Sequence, residues 1–189
     1  NINAMAKGKS KGRNNSGGGG TATIIGTNNA DTINFINKQV KDLGITGNIE
    51  VEFRERKRGD APFAAAFVNH SNSVIKEGDT YYHVPIMKLT VLSQKTEHHK
   101  EYIAHELTHI KQMQSGTFRL GYKVKPIYGT RYDEGFYWNG KLHTTAAQYT
   151  RITNKMSKPK SQEEYNKALA KYKALPWEAE AYAAGGKYK

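Results

Sequence analysis

One stretch limits what this chain can fold into more than any other: Tyr102-Ile103-Ala104-His105-Glu106-Leu107-Thr108-His109-Ile110, a histidine pair four residues apart with a glutamate after the first. Residues i and i+4 share one face of a helix, so His105 and His109 can point at a single ion, as zinc requires. Glu106 then sits beside the ion as a base for a bound water. The segment has to be helical, and the rest of the chain has to bring a further donor to it. Two imidazoles are too few, because sites of this kind use three protein ligands and keep a position open for water.

Composition narrows the donor. The 189 residues contain no cysteine, so thiolate ligands and disulfides are excluded and the missing ligand is a histidine or a carboxylate. That length suits one domain with a real core. No apolar run approaches the roughly 18 residues that span a bilayer, and no apolar segment follows the basic N-terminus as in a secretory signal. The expectation is a soluble protein, cytoplasmic or virion-associated, with no membrane contact. A formal charge of +12 favours polyanionic partners, set against the plainer reading that the charge serves solubility.

Residues 1–22 read as a flexible basic, Gly-rich tail, with Asn1-Ile2-Asn3-Ala4 before Met5 resembling a vector-derived scar; residues 23–189 form the folded domain. The lysines of the tail are candidates for contact with nucleic acid or a neighbouring subunit. From Asn29 to Leu43, Ile33, Ile36, Val40 and Leu43 recur at helical spacing, and Gly44 follows as a stop. Ile49, Val51 and Phe53 alternate with charged residues and predict a strand. Further strands are expected at 62–69, at Val74-Ile75 and from Tyr81 to Leu89, with a turn at Glu77-Gly78-Asp79.

The metal-ligand helix is expected to start near Thr96 and to end before Gly116. Ile103, Leu107, Ile110 and Gln114 define its inner side, and Glu101, His105, His109 and Gln112 another. His98 lies on nearly the same face as His105 but about 10 Å away along the axis, too far to share an ion. Glu101 is a candidate partner for His105. Gly121 to Thr130 reads as irregular. Phe136 to His143 reads as a hairpin turning at Asn139-Gly140. Ser161 to Ala174 reads as a capped helix, and Pro176 opens a last helix that Gly185-Gly186 ends.

Two zinc-peptidase patterns offer a third ligand. In metzincins it is a histidine six residues after the second, behind a glycine at the third; Ser115 and Gln112 stand there, so that class is rejected. The chain resembles small gluzincin-type zinc metallopeptidases, especially bacterial and bacteriophage-encoded proteins that combine HELTHxxQ, a Tyr-Trp-Asn-Gly-Lys hairpin and a terminal Pro-Trp-Glu-x-Glu-Ala, over residues 97–184. The resemblance implies an α+β, zincin-like fold: a small, mostly antiparallel sheet packed on the HExxH helix, with a C-terminal helix carrying the glutamate ligand.

Glu178-Ala179-Glu180-Ala181-Tyr182 is similar to the gluzincin E-x-x-A-D pattern and puts Glu178 at the ligand position, with Tyr182 where an aspartate usually orients a histidine. Glu180 is the alternative ligand; it lies about 200° around the helix, so both cannot bind one ion. Asp133, Glu134 and His143 remain weaker alternatives.

The implied activity is peptide-bond hydrolysis of a protein or peptide by a zinc-activated water, with Glu106 as general base and His143, Tyr137 or Tyr149 as candidate donors to the tetrahedral intermediate. The rival reading is a phage virion or assembly component that keeps the fold while its tail binds nucleic acid or a neighbouring subunit. Non-catalytic zinc stabilisation is a third.

Overall fold

The computed structural model describes residues 19–61, 64–92 and 99–189. The basic tail up to residue 18, the expected helix start at Thr96, and His98 fall outside the described residues.

The fold begins with a parallel crossover. Strand β1 (Thr21–Ile25) leads into helix α1 (Ala30–Asp42), and β2 (Asn48–Arg54) returns beside β1 in parallel, Ile24 opposite Val51. Asn29 caps α1, its side chain accepting from the Thr32 amide at 3.0 Å. Gly44 ends the helix at φ +66°, a left-handed conformation that a side chain would resist. Phe35, Ile36 and Val40 are the buried apolar residues of α1, whereas Ile33 and Leu43 are half-covered. β1 starts two residues inside the segment read as tail, so the folded unit extends further toward the N-terminus than the composition indicated.

Strand β3 (Ala66–Glu77) turns at Gly78-Asp79 into β4 (Thr80–Leu92). These form one long antiparallel hairpin in which the register shifts between Val68 and His70 and again between His70 and Val74. The two short strands expected here are thus a single bulged one. β4 also pairs in parallel with β2 through residues 88–92 and antiparallel with β5 (Phe118–Val124) through its first residues.

β5 overturns the expectation of irregular chain for residues 121–124, whereas 125–130 are irregular as expected. Gly121 is not a breaker: a Cβ on it would lie 2.7 Å from the Tyr81 carbonyl oxygen and 2.9 Å from the Tyr82 ring, so it marks close strand contact. β6 (Arg131–Trp138) and β7 (Lys141–Thr145) complete a seven-stranded sheet in the order β1-β2-β4-β5-β6-β7, with β3 on β4. Asn139 and Gly140 join them at φ +51° and +78°, the expected tight hairpin turn.

The sheet is therefore mixed. Antiparallel pairing holds from β3 to β7, but the β1-β2-β4 side is parallel. Four of the six strand pairings are antiparallel, as expected; the parallel side was not foreseen, because the expectation had no β1 and so no crossover.

Helix α2 (His99–Gln114) packs its Ile103, Leu107 and Ile110 side against the sheet, each at 0% exposure, together with Val51, Leu89 and Val91. Burial of each such side chain is worth about 1.5–3 kcal/mol, which fixes the rotation of the helix about its axis. Three helices follow: α3 (Ala146–Ser157), α4 (Gln162–Ala174) and α5 (Pro176–Gly186). α3 is opened by a capping box in which Thr145 and Gln148 satisfy each other's backbone amides. No described helix is long and apolar enough to cross a membrane.

Candidate metal centre

With the apolar side of α2 held on the sheet, His105 and His109 emerge together on its flank. Their Nε2 atoms are 3.2 Å apart. α5 brings the third group. Pro176 occupies the first turn, where its missing N–H costs nothing, and Glu178 follows in the same turn, where the helix dipole favours a carboxylate.

α5 can approach this closely because the residues it turns toward α2 are small. Ala181 is fully buried, and a Cβ added to Gly185 would lie 2.8 Å from the Glu101 carbonyl oxygen and 3.4 Å from the His105 Cβ. Trp177, 1% exposed, anchors the helix in an aromatic cluster, stacked on Phe118 at 4.8 Å and on Phe136 at 5.5 Å between ring centroids.

The Glu178 carboxylate, 4% exposed, divides its oxygens between the rings: Oε2 is 3.1 Å from His105 Nε2, and Oε1 is 3.2 Å from His109 Nε2. One ligand atom from each of the three residues fits within 4.8 Å. Donors held about 2.0–2.1 Å from a tetrahedral ion stand about 3.3 Å from one another, so these spacings fit a metal ion.

The tautomer of His109 is also set. Gln112 donates its Nε2–H to the Trp177 carbonyl at 3.1 Å, which turns its Oε1 to accept from His109 Nδ1–H at 2.9 Å. Neutral His109 consequently carries its lone pair on Nε2, toward the other donors.

Charge within the group is balanced internally. Burial pushes the Glu178 carboxyl up, but hydrogen bonds from His105 and His109 and the charge they carry outweigh it, and its pKa falls below the usual carboxylate range. His109 is the reverse case: burial disfavours its cation, and Glu178 and Glu106 more than restore it, so its pKa rises. Glu106 stands beside the three rather than among them, its Oε1 4.0 Å from His105 Nε2. Burial and the Glu178 charge raise its pKa against the opposing pull of the two histidines, which makes it a better proton acceptor than a solvated carboxylate.

The other sequence candidates separate cleanly. Tyr182, four residues after Glu178, meets the His105 ring edge to face at 4.6 Å. Tyr149 packs on Phe136 at 4.4 Å and on Tyr172 at 6.3 Å. Burial and the Glu178 charge raise both phenols to about 12, so each keeps its proton as a donor.

Tyr137 does not reach the site. Its neighbours on β6, Phe136 and Trp138, turn toward Trp177, so the strand alternation sends Tyr137 to the opposite face, where it meets Tyr82 at 5.5 Å and donates to the Asp133 carbonyl. His143 is exposed, its ring edge-on to Trp177 and its Nδ1 2.7 Å from Thr144 Oγ1. Glu180 is exposed on the outer side of α5, as the helical angle required, and Asp133 and Glu134 are exposed on β6; none of the three belongs to the group.

Three neighbours have contacts that the sequence does not show. Tyr172, near the end of α4, donates its hydroxyl to Glu178 Oε1 at 2.9 Å. Only the Tyr-Lys-Ala-Leu-Pro-Trp-Glu run, which folds the chain back at the proline, hints at it. Gln112 was placed on the ligand face, but its hydrogen bond to α5 was not foreseeable. His70 on β3 has a buried Nε2 without a partner among the described residues, and burial, with smaller contributions from His83 and His109, lowers its pKa to about 4.

Comparison of the chain with family models, curated proteins and solved structures finds no match.

Proposed function

We propose that this protein is a zinc-dependent metallopeptidase of zincin type, with His105, His109 and Glu178 as metal ligands and Glu106 as general base. The observation that carries the reading is the arrival of Glu178 from α5 between two imidazoles that α2 already presents together. Three donors with a carboxylate beside them is the pattern of a catalytic site, whereas structural zinc sites close with four protein ligands.

His105, His109 and Glu178 would hold a zinc ion, which would supply Lewis acidity to activate water and polarise a substrate carbonyl. The chain does the remaining work. Glu106, beside the three donors, accepts a proton from the attacking water and returns it to the leaving amine. Gln112 holds His109 in one tautomer throughout. Tyr149 and Tyr182, both protonated, are candidate hydroxyl donors to charge that develops on the carbonyl oxygen.

The test is Glu106→Gln, assayed on dye-quenched casein with metal content measured in parallel. Cleavage falls at least a hundredfold while one zinc per chain is retained. Undiminished cleavage by the variant overturns the assignment of the base, and wild-type protein without stoichiometric metal overturns the reading as a whole.

A further inference from the structure

We infer that Tyr172 is the positioning residue for Glu178: its hydroxyl takes one carboxylate oxygen, Oε1, and so presents the other, Oε2, to a bound ion. The inference rests on the reading of His105, His109 and Glu178 as a metal centre and concerns how that centre is held.

A glutamate has three rotatable bonds, and nothing in helix geometry alone fixes the plane of its carboxylate. In this chain Oε1 receives the Tyr172 hydroxyl at 2.9 Å and faces His109, whereas Oε2 faces only His105 among the contacts of the group. The donor is itself immobilised. Tyr172 packs on Tyr149, which packs on Phe136, which stacks on Phe118 and Trp177, so the phenol is the end of a continuous row of rings rooted in the core.

The chemistry of the donor matters as much as its position. A phenol adds a hydrogen bond without adding charge, so the carboxylate stays fully anionic toward a cation. A lysine there would compete with the ion. The adjacent lysine, Lys173, is instead directed over the Tyr182 ring, 5.0 Å from its centroid.

Tyr182, four residues after the ligand, makes only a ring contact with His105, and the orienting hydrogen bond comes from six residues before the ligand, on the preceding helix. The bend at Leu175-Pro176 makes this reach possible: the Leu175 amide bonds the Tyr172 carbonyl at 3.2 Å, and the Ala179 amide bonds the Leu175 carbonyl at 2.8 Å.

The experiment is Tyr172→Phe, an isosteric change, with Tyr165→Phe as a control that removes a hydroxyl from the same helix. Zinc affinity is measured by chelator competition, and cobalt(II) is substituted to read the ligand field from its visible absorption, at a temperature where circular dichroism shows each variant folded. The expected result is zinc binding weakened tenfold or more with a shifted cobalt spectrum for Tyr172→Phe, and neither change for Tyr165→Phe. Unchanged affinity and spectrum in Tyr172→Phe overturn the inference while the metal centre stands. Failure of the wild-type protein to bind zinc at all sinks the metal-centre reading, and this inference with it.

Discussion

Gly185 of α5 lies so close to His105 of α2 that a Cβ added to it would sit 3.4 Å from the histidine Cβ and 2.8 Å from the Glu101 carbonyl oxygen. A backbone oxygen cannot swing aside as a flexible side chain can. Gly185→Val therefore pushes α5 outward and carries Glu178 with it. The expected cost is about 1–3 kcal/mol in stability, measured by urea unfolding, together with at least tenfold weaker zinc binding. Lost stability with intact zinc affinity would show that the close approach serves packing alone.

Glu178 and Glu180 provide an internal comparison, since one is buried between the histidines and the other points to solvent two residues away. Glu178→Ala is expected to reduce bound zinc, determined by elemental analysis after dialysis, to well below one per chain. Glu180→Ala is expected to leave it stoichiometric. The reverse pattern would assign the ligand to the wrong face of α5.

Gln112→Ala removes both the acceptor for His109 Nδ1–H and the donor to the Trp177 carbonyl. The freed imidazole can then take either tautomer, and zinc affinity is expected to drop about 10- to 100-fold with His105, His109 and Glu178 all in place. Imidazole NMR of the zinc-loaded protein reads the tautomer directly. A single unchanged Nδ1–H resonance in the variant would mean that Gln112 does not set it.

His70 predicts how stability responds to acid. Burial holds its pKa at about 4, against 6.5 for an ordinary histidine, so the unfolded chain binds the proton first. Its contribution is complete above pH 6.5 and is lost as the pH falls toward 4. The half-buried position limits the loss to about 2 kcal/mol. His70→Phe, which keeps a ring against Phe118, removes this slope. Unfolding free energies of wild type and variant, measured from pH 7.5 to 4.5, should diverge at the acid end, and parallel curves would rule out His70 as the source.

Legibility in the sequence followed physical locality. The HELTH pair is set by the repeat of one helix, the Asn139-Gly140 hairpin by two residues that tolerate positive φ, and α4 and α5 by their Ser161 and Pro176 starts; all appear where the residues placed them. β1 was missed because Thr-Ala-Thr-Ile-Ile is short and follows a glycine run, and only its parallel partner β2 makes it a strand. The Thr145 and Gln148 capping box is a local signal for the start of α3.

At the site, Glu178 was accessible through its resemblance to a ligand pattern and Glu180 was separable by helical angle. Tyr137 was misplaced because a strand shows its alternation but not which face meets the chemistry. Tyr172 was invisible, because its contact with Glu178 depends on how two consecutive helices bend around a joint.

That joint has a mechanical consequence. Leu175 is at once the last cap of α4 and the first of α5, with φ −59° and ψ 132°, and it is buried. Two rods meeting at one pinned residue have no slack between them, so a tilt of α4 is delivered undamped to the carboxylate. The backbone approach of Tyr172 to Glu178 thus runs through the torsions of Leu175. Lengthening the hinge by even one glycine would turn a rigid bracket into a loose one while altering none of the groups it holds.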